Sequence, residues 1–406
     1  MTTRRALLAG GAALALASRV RAAPSPALRA ALDAAAALPH DPGAALALLA
    51  GFDRKGLPLA AQLDLDTARA GLAIDLEIVR RFAVDPRGKG PPRNPEHALL
   101  LLRRKLGDDL DPPALEAQLE TERRRCAARA DALFARLGVA GATTGARFSA
   151  LWRDPRQAYA SPDAALADMN RWLAELRPRV PALVGAVPRW CLNVAANPPT
   201  AADRTAAHYG YRTLPTPTQP GGYVPDLQRL AERPAFTLPS VVAHELLPGH
   251  MVQLPLEAAA DPHPLRLDYA PGFAEGWAIY TERRVADAGL YAADPLAELG
   301  SLHWRLFRIG RALVDLAIHL HGLSLREARA RLVTWQGEPA YFASFDTDLA
   351  RIVQEPMTRA AEMLFALAIE DGARGRSGTA LRRYHHLLLD HGRMRSDELA
   401  RRARRI

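Results

Sequence analysis

A chain of 406 residues, 49% hydrophobic and 24% charged, has the composition of an ordinary globular protein and the length for one large core or two smaller ones. Its formal charge of +9 sits at the ends: residues 1–22 carry four arginines and no acid, and residues 372–406 carry ten arginines against three acids. Without those two segments the body stands at −2, which argues against a basic nucleic-acid channel through its middle. The two cysteines, Cys126 and Cys191, lie far apart and lack a Cys-x-x-Cys spacing. Neither a disulfide framework nor a cysteine-ligated metal is expected, and both read as buried thiols.

At the N-terminus, Arg4-Arg5 precedes a short apolar segment to about Ser18, followed by Val20-Arg21-Ala22-Ala23-Pro24. This is the layout of an export signal of the twin-arginine type, with cleavage expected after Ala22 and the periplasm as destination. The apolar segment is shorter than the roughly 20 residues of a spanning helix, so no integral membrane segment is expected.

Residues 23–371 read as one helical domain, with an N-terminal part over 23–180 and a site-bearing part over 181–371. Apolar residues at helical spacing predict helices through 27–82, broken near Pro39–Gly43 and Gly56–Pro58, and then a loop over Asp85–Arg93. A short helix is predicted over Glu96–Leu106, a longer one from Pro112 to Leu137, and another over Pro162–Leu176 with Ser161 as its cap. The prolines and glycines of residues 186–225 preclude long helices. Short strands are expected around Arg189–Val194 and His208–Thr213, their edge beside the site helix suiting an extended substrate. Ser301–Gly322 reads as a long apolar helix. Two more helices are expected across 324–370, the first opened by a Ser324/Glu327 capping box. Residues 372–406 read as a basic surface helix and tail.

The chemistry concentrates in His244-Glu245-Leu246-Leu247-Pro248-Gly249-His250-Met251-Val252-Gln253, inside an apolar run. A buried His-Glu pair costs desolvation free energy unless something compensates it, and a metal ion does so commonly. A zinc peptidase helix reads His-Glu-x-x-His, with its histidines four apart on one face. Here the spacing is six, and an unbroken helix at about 100° per residue would turn His250 roughly 120° away from His244. Pro248 and Gly249 permit a break that returns His250 to the metal. The bland alternative is a core helix ended by Pro-Gly with two satisfied histidines.

Beyond a proline-rich connection lies Gly272-Phe273-Ala274-Glu275-Gly276-Trp277-Ala278-Ile279-Tyr280-Thr281-Glu282. Glu275 is the expected third ligand, and Glu282, seven residues on and near the same face, the expected group behind the ligands. Tyr280 is a candidate transition-state donor, although packing suits it as well. On the long helix, Arg311, Asp315 and His319 form a stripe at four-residue spacing. Arg311 would hold Asp315, Asp315 would orient His319, and His319 would stabilise a developing oxyanion. The competing reading of this stripe is an internal salt-bridge row.

With these residues in view, the chain resembles the bacterial family called "domain of unknown function 885", grouped with zinc metallopeptidases of the gluzincin type. The resemblance rests on His244-Glu245-x-x-Pro248-Gly249-His250-x-x-Gln253 and Glu275-Gly276-Trp277-Ala278-x-Tyr280-x-Glu282, supported by the Arg311/Asp315/His319 stripe. It implies a mainly α, zincin-like fold with a small β-sheet beside the active-site helix, one zinc held by His244, His250 and Glu275, and Glu245 as general base. One departure stands out. Members usually carry a Pro-Gly-Gln-Ala-Leu-x-Tyr type segment, where this chain has Pro356-Met357-Thr358-Arg359-Ala360-Ala361-Glu362. The expected function is therefore zinc-dependent hydrolysis of a peptide or small amide. The alternatives are a catalytically impaired peptide-binding or scaffold protein and a metal-dependent hydrolase of non-peptide amides or esters.

Overall fold

The structure, a computed structural model, describes residues 25–108, 110–338 and 344–406. The export signal expected over 1–22 lies outside these residues. The chain is mainly helical with one small sheet. Among the described residues, no helix is long and apolar enough to cross a membrane.

Three helices, Pro26–Ala36, Pro42–Leu49 and Leu59–Phe82, pack into an N-terminal cluster around Leu28, Leu32, Leu49, Leu65 and Leu72. Tyr269 enters this cluster from the site-bearing half and fits because Gly71 lacks a side chain; a Cβ there would fall 2.1 Å from its ring. The main core draws residues from Leu63 to Ala403, so the two expected parts share one interior. Both cysteines are buried and free, as read from the sequence.

Several elements fall where the local chemistry puts them. The Ser161 hydroxyl accepts from Ala164 N–H at the start of Pro162–Leu176, and the Ser324/Glu327 capping box opens Leu325–Trp335. Other expectations need correction. Arg189–Leu192 is a tight turn after Pro188, and the first strand is Val194–Ala196. The central strand, Gly221–Val224, was hidden by glycines that look like breakers. Those glycines let chains approach closely, since a Cβ at Gly222 would meet the Asn197 side chain at 2.0 Å. Val194–Ala196 pairs with it in parallel and Tyr211–Thr213 antiparallel, leaving Tyr211–Thr213 at one edge. The other edge is covered, because the Asn170 amide exchanges two hydrogen bonds with the Ala196 backbone.

Among the described residues, 324–370 hold three helices, Leu325–Trp335, Phe345–Gln354 and Thr358–Ala373. Residues 372–406 are no tail: Gly378–Leu389 and Ser396–Ala403 bury Tyr384, His385, Leu388, Leu389 and Leu399. Their apolar stripe was masked by the arginines that occupy the other face.

The site forms around the start of His250–Ala260, where four further helices meet. Leu238–Glu245 packs on Gly272–Asp287 and on Pro295–His321, and Thr358–Ala373 covers the latter two. Gly276 permits close packing, a Cβ there lying 2.8 Å from Phe365. At the break between Leu238–Glu245 and His250–Ala260, a Cβ on Gly249 would lie 2.0 Å from the His244 carbonyl oxygen. Gly249→Ala is therefore expected to lower stability by about 3 kcal/mol through overpacking against backbone. An unchanged urea midpoint would contradict this packing.

Candidate metal centre

The first helix ends at Glu245, and Leu246 leaves helical geometry at φ −112° and ψ −105°. The Leu247–Pro248 peptide is cis, Gly249 sits at φ −73° and ψ −126°, and a new helix begins at His250. The Trp277 indole N–H donates to the Pro248 carbonyl at 3.1 Å, tying the connection to the following helix. The break that the six-residue spacing requires is thus present. It brings the rings of His244 and His250 to a 4.8 Å centroid separation, at 86° to each other.

Glu275 meets both rings from Gly272–Asp287. One carboxylate oxygen lies 3.2 Å from His250 Nε2 and the other 3.3 Å from His244 Nε2. One ligand atom from each of the three residues falls within 4.8 Å of the others. The histidines are buried, whereas the Glu275 side chain is 34% exposed, so the cluster opens toward solvent on the carboxylate side.

Behind the ligands, His244 Nδ1 shares a hydrogen bond of 2.7 Å with Glu282, whose other oxygen accepts from the Ser240 hydroxyl at 2.9 Å. With the proton of His244 on Nδ1, facing Glu282, its Nε2 lone pair is left for the cluster. Arg308 from Pro295–His321 donates to Glu282 at 3.2 Å and lies against the His244 ring, 3.1 and 3.3 Å from its nitrogens. Glu245 is 6% exposed and paired with Arg212 from the edge strand.

Burial alone would raise the Glu275 carboxyl, but the charges and hydrogen bonds of His250 and His244 hold it well below its ordinary value. Burial lowers His250, with smaller opposition from Glu275. Burial likewise works against the Glu282 carboxylate, and Arg308 and His244 outweigh it.

The residues fit a cation. Nδ1 of the buried His250 lacks a hydrogen-bond partner, its Nε2 meets only the Glu275 carboxylate, and both amide atoms of Gln253 one turn on are unpartnered. Two imidazoles and an ionised carboxylate converging from a broken helix and its neighbour form a two-nitrogen, one-oxygen donor set. Against its burial, Glu275 and Glu282 raise the pKa of His244, so a cation there would displace a proton. Zinc takes such a set with a position left open. Among the three carboxylates Glu245, Glu275 and Glu282, two positive charges, Arg212 and Arg308, leave one negative charge uncompensated.

Other expected site residues lie elsewhere. Tyr280 is buried with its hydroxyl 2.6 Å from His385 Nε2 and its ring near Trp277, so it packs rather than facing the cluster. Its position explains this: five residues past Glu275, it is turned about 140° from it. Arg311 pairs with Asp348 and not with Asp315. Asp315 accepts the backbone N–H groups of Met357 and Ala360 at 2.9 and 3.0 Å, holding the start of Thr358–Ala373. His319 Nε2 meets the Ile352 carbonyl at 3.2 Å. Eleven residues beyond Arg308, it stands about 16 Å along the helix from the cluster. The stripe is an internal tether joining the long helix to its neighbours.

Sequence reasoning missed Arg308 and Arg212. Arg308 stands three residues before Arg311 on the same face, so the polar stripe was read one turn too short. Nothing around Arg212 marks it, because a three-residue strand carries no usable periodicity. The departing segment Pro356–Glu362 does lie beside the site: Met357 takes φ +63° where the family pattern has glycine, and Glu362 pairs with Arg359 near Glu275.

A mainly helical protein with a histidine–glutamate cluster at a helix break is the class this geometry defines. The chain belongs to the family described as "Bacterial protein of unknown function (DUF885)", whose pattern matches residues 5–402. The fold is similar to the solved structure of "the putative lipoprotein from Colwellia psychrerythraea", at 20% identity and a TM-score of 0.66, covering 93% of this chain and 69% of that one. It is also similar to "a putative lipoprotein of unknown function from Shewanella oneidensis", at 16% identity and a TM-score of 0.61, covering 92% and 72%. No curated protein matches the sequence.

Replacing Asp315 by Ala strips two buried backbone donors of their acceptor. It is expected to cost about 2–4 kcal/mol of stability while leaving metal content per folded chain unchanged. Denaturant titration with metal analysis of the folded fraction checks both, and loss of metal from folded protein would return Asp315 to the site.

Proposed function

We propose that the protein is a zinc-dependent hydrolase with a zincin-like centre, acting on peptide bonds. The observation that carries this reading is the convergence of His244, His250 and Glu275 next to the carboxylate of Glu245. When bound there, zinc supplies Lewis acidity toward a carbonyl oxygen and lowers the pKa of water. His244 and His250 would present ring nitrogens to it and Glu275 an ionised oxygen. Glu282 and Ser240 keep His244 in the required tautomer, and Arg308 limits the cost of holding Glu275 and Glu282 close together. Glu245 follows a ligand in sequence without belonging to the cluster. Its carboxylate takes a proton from the attacking water and delivers it to the leaving nitrogen. Export to the periplasm accords with the twin-arginine-like start and with the lipoprotein description of the two structural neighbours.

A second reading follows from the Arg212–Glu245 pair: a protein that binds metal and peptide without turnover, its base held by a guanidinium. Purified protein is expected to contain about one zinc per chain. His244→Ala should lose it, and Glu245→Gln should keep it while losing about 10²–10⁴-fold in peptide hydrolysis. Equal metal content in wild type and His244→Ala contradicts the centre. Metal-loaded wild type that binds peptides but cuts neither amides nor esters favours the second reading.

A further inference from the structure

Arg212 stands in the middle of Tyr211–Thr213, the edge strand whose other side is paired to Gly221–Val224. Its Nη2 donates to Glu245, and its Nε is shielded from solvent without a partner. The other arginines around the cluster are tied to acids of the fold. Arg308 is engaged by Glu282, Arg311 by both oxygens of Asp348, and Arg359 by Glu355 and Glu362. Arg212 is also more open than these, its side chain 24% exposed against 7%, 10% and 18%. A guanidinium that is partly open to solvent and holds a single acid is placed to take a carboxylate through charge-assisted hydrogen bonds.

Its location sets what that carboxylate belongs to. Arg212 touches Glu245, the residue after the ligand His244, and its charge also acts on His250, so an anion on Arg212 lies beside the cluster, within the reach of one terminal residue at roughly 3.5 Å per residue. We propose that Arg212 anchors the free carboxylate of a substrate's terminal residue, one residue beyond the bond that is cut, and that this carboxylate takes Arg212 over from Glu245. The inference rests on the hydrolase reading of the same site. Glu245, released from its ion pair, is then free to accept a hydrogen bond from water. Water adds to the carbonyl carbon, the carbon–nitrogen bond breaks, and Glu245 carries one proton from the water to the leaving nitrogen. The products are a shortened acid and a free amino acid still held by Arg212. The substrate class is N-acylated amino acids and peptides trimmed from the carboxyl end. An Arg212–Glu245 pair that persists without substrate also keeps the base engaged until such a ligand arrives.

The test uses the full metal-loaded protein with N-acyl dipeptides bearing a free carboxylate and with their C-terminal amides. Wild type should prefer the free acids by about a hundredfold in kcat/KM, because a site built to bind a carboxylate leaves its donors unpaired with an amide. In Arg212→Met, shown to be folded by its melting curve, the preference should fall to near parity, with most of the loss in KM; Arg212→Lys should recover part of it. Equal cleavage of acids and amides by wild type overturns the anchor but keeps the hydrolase. A preference that survives in Arg212→Met overturns it as well. If neither series is cut, the hydrolase reading fails on its own, and calorimetry still decides the anchor. Glu245→Gln, which removes the competing carboxylate, should bind the free acid at least as tightly as wild type, and Arg212→Met should bind it at least tenfold more weakly. Equal affinity across the three proteins overturns the proposal.

Discussion

Glu245 closes one helix and His250 opens the next, and the four residues between them decide where the imidazoles of His244 and His250 point. Continued as a helix, the segment would send the rings to different faces. Interrupted, it stacks them edge to face at 4.8 Å and leaves Glu275 a place between them. The interruption depends on backbone contacts: Gly249 fits only because it has no side chain, and Trp277 holds the Pro248 carbonyl from the helix that supplies Glu275. The same interaction thus sets the distance between the two ligand-bearing segments.

Such a cluster is electrostatically expensive without compensation. Three carboxylates, Glu245, Glu275 and Glu282, crowd two buried imidazoles, and burial opposes the ionised state of the latter two acids. The protein answers with cations from two directions, Arg308 from the long helix and Arg212 from the sheet edge. Their environments differ. Arg308 is engaged by Glu282 and the His244 ring, which suits a permanent counter-charge. Arg212 holds a single acid, Glu245, and is more open to solvent, which suits a group that changes partners.

Much of this was legible from residue types and spacing. Pro248-Gly249 between two histidines announces a break, and Glu275 with Glu282 seven residues later announces one face of a helix. Ser161 and Ser324 mark caps for a local reason, the hydroxyl accepting a nearby backbone N–H, so they read correctly without tertiary knowledge. What failed depended on partners far away in sequence. Arg311 and Asp315 have ideal spacing for each other, yet Arg311 finds Asp348 and Asp315 finds the backbone of Met357 and Ala360. Gly221-Gly222 reads as a turn until Val194–Ala196 and Tyr211–Thr213 flank it. Tyr384 and His385 read as surface until the Ile369 carbonyl and the Tyr280 hydroxyl meet them.

The central claim is that a broken helix and its neighbour converge on a single cation. Crystals of the protein grown with zinc and measured on both sides of the zinc absorption edge test it most directly. The account predicts one strong anomalous peak, about 2.0–2.2 Å from His244 Nε2, His250 Nε2 and a Glu275 oxygen. Density showing the two rings diverging, or a peak bound elsewhere with these three side chains unchanged, would contradict it.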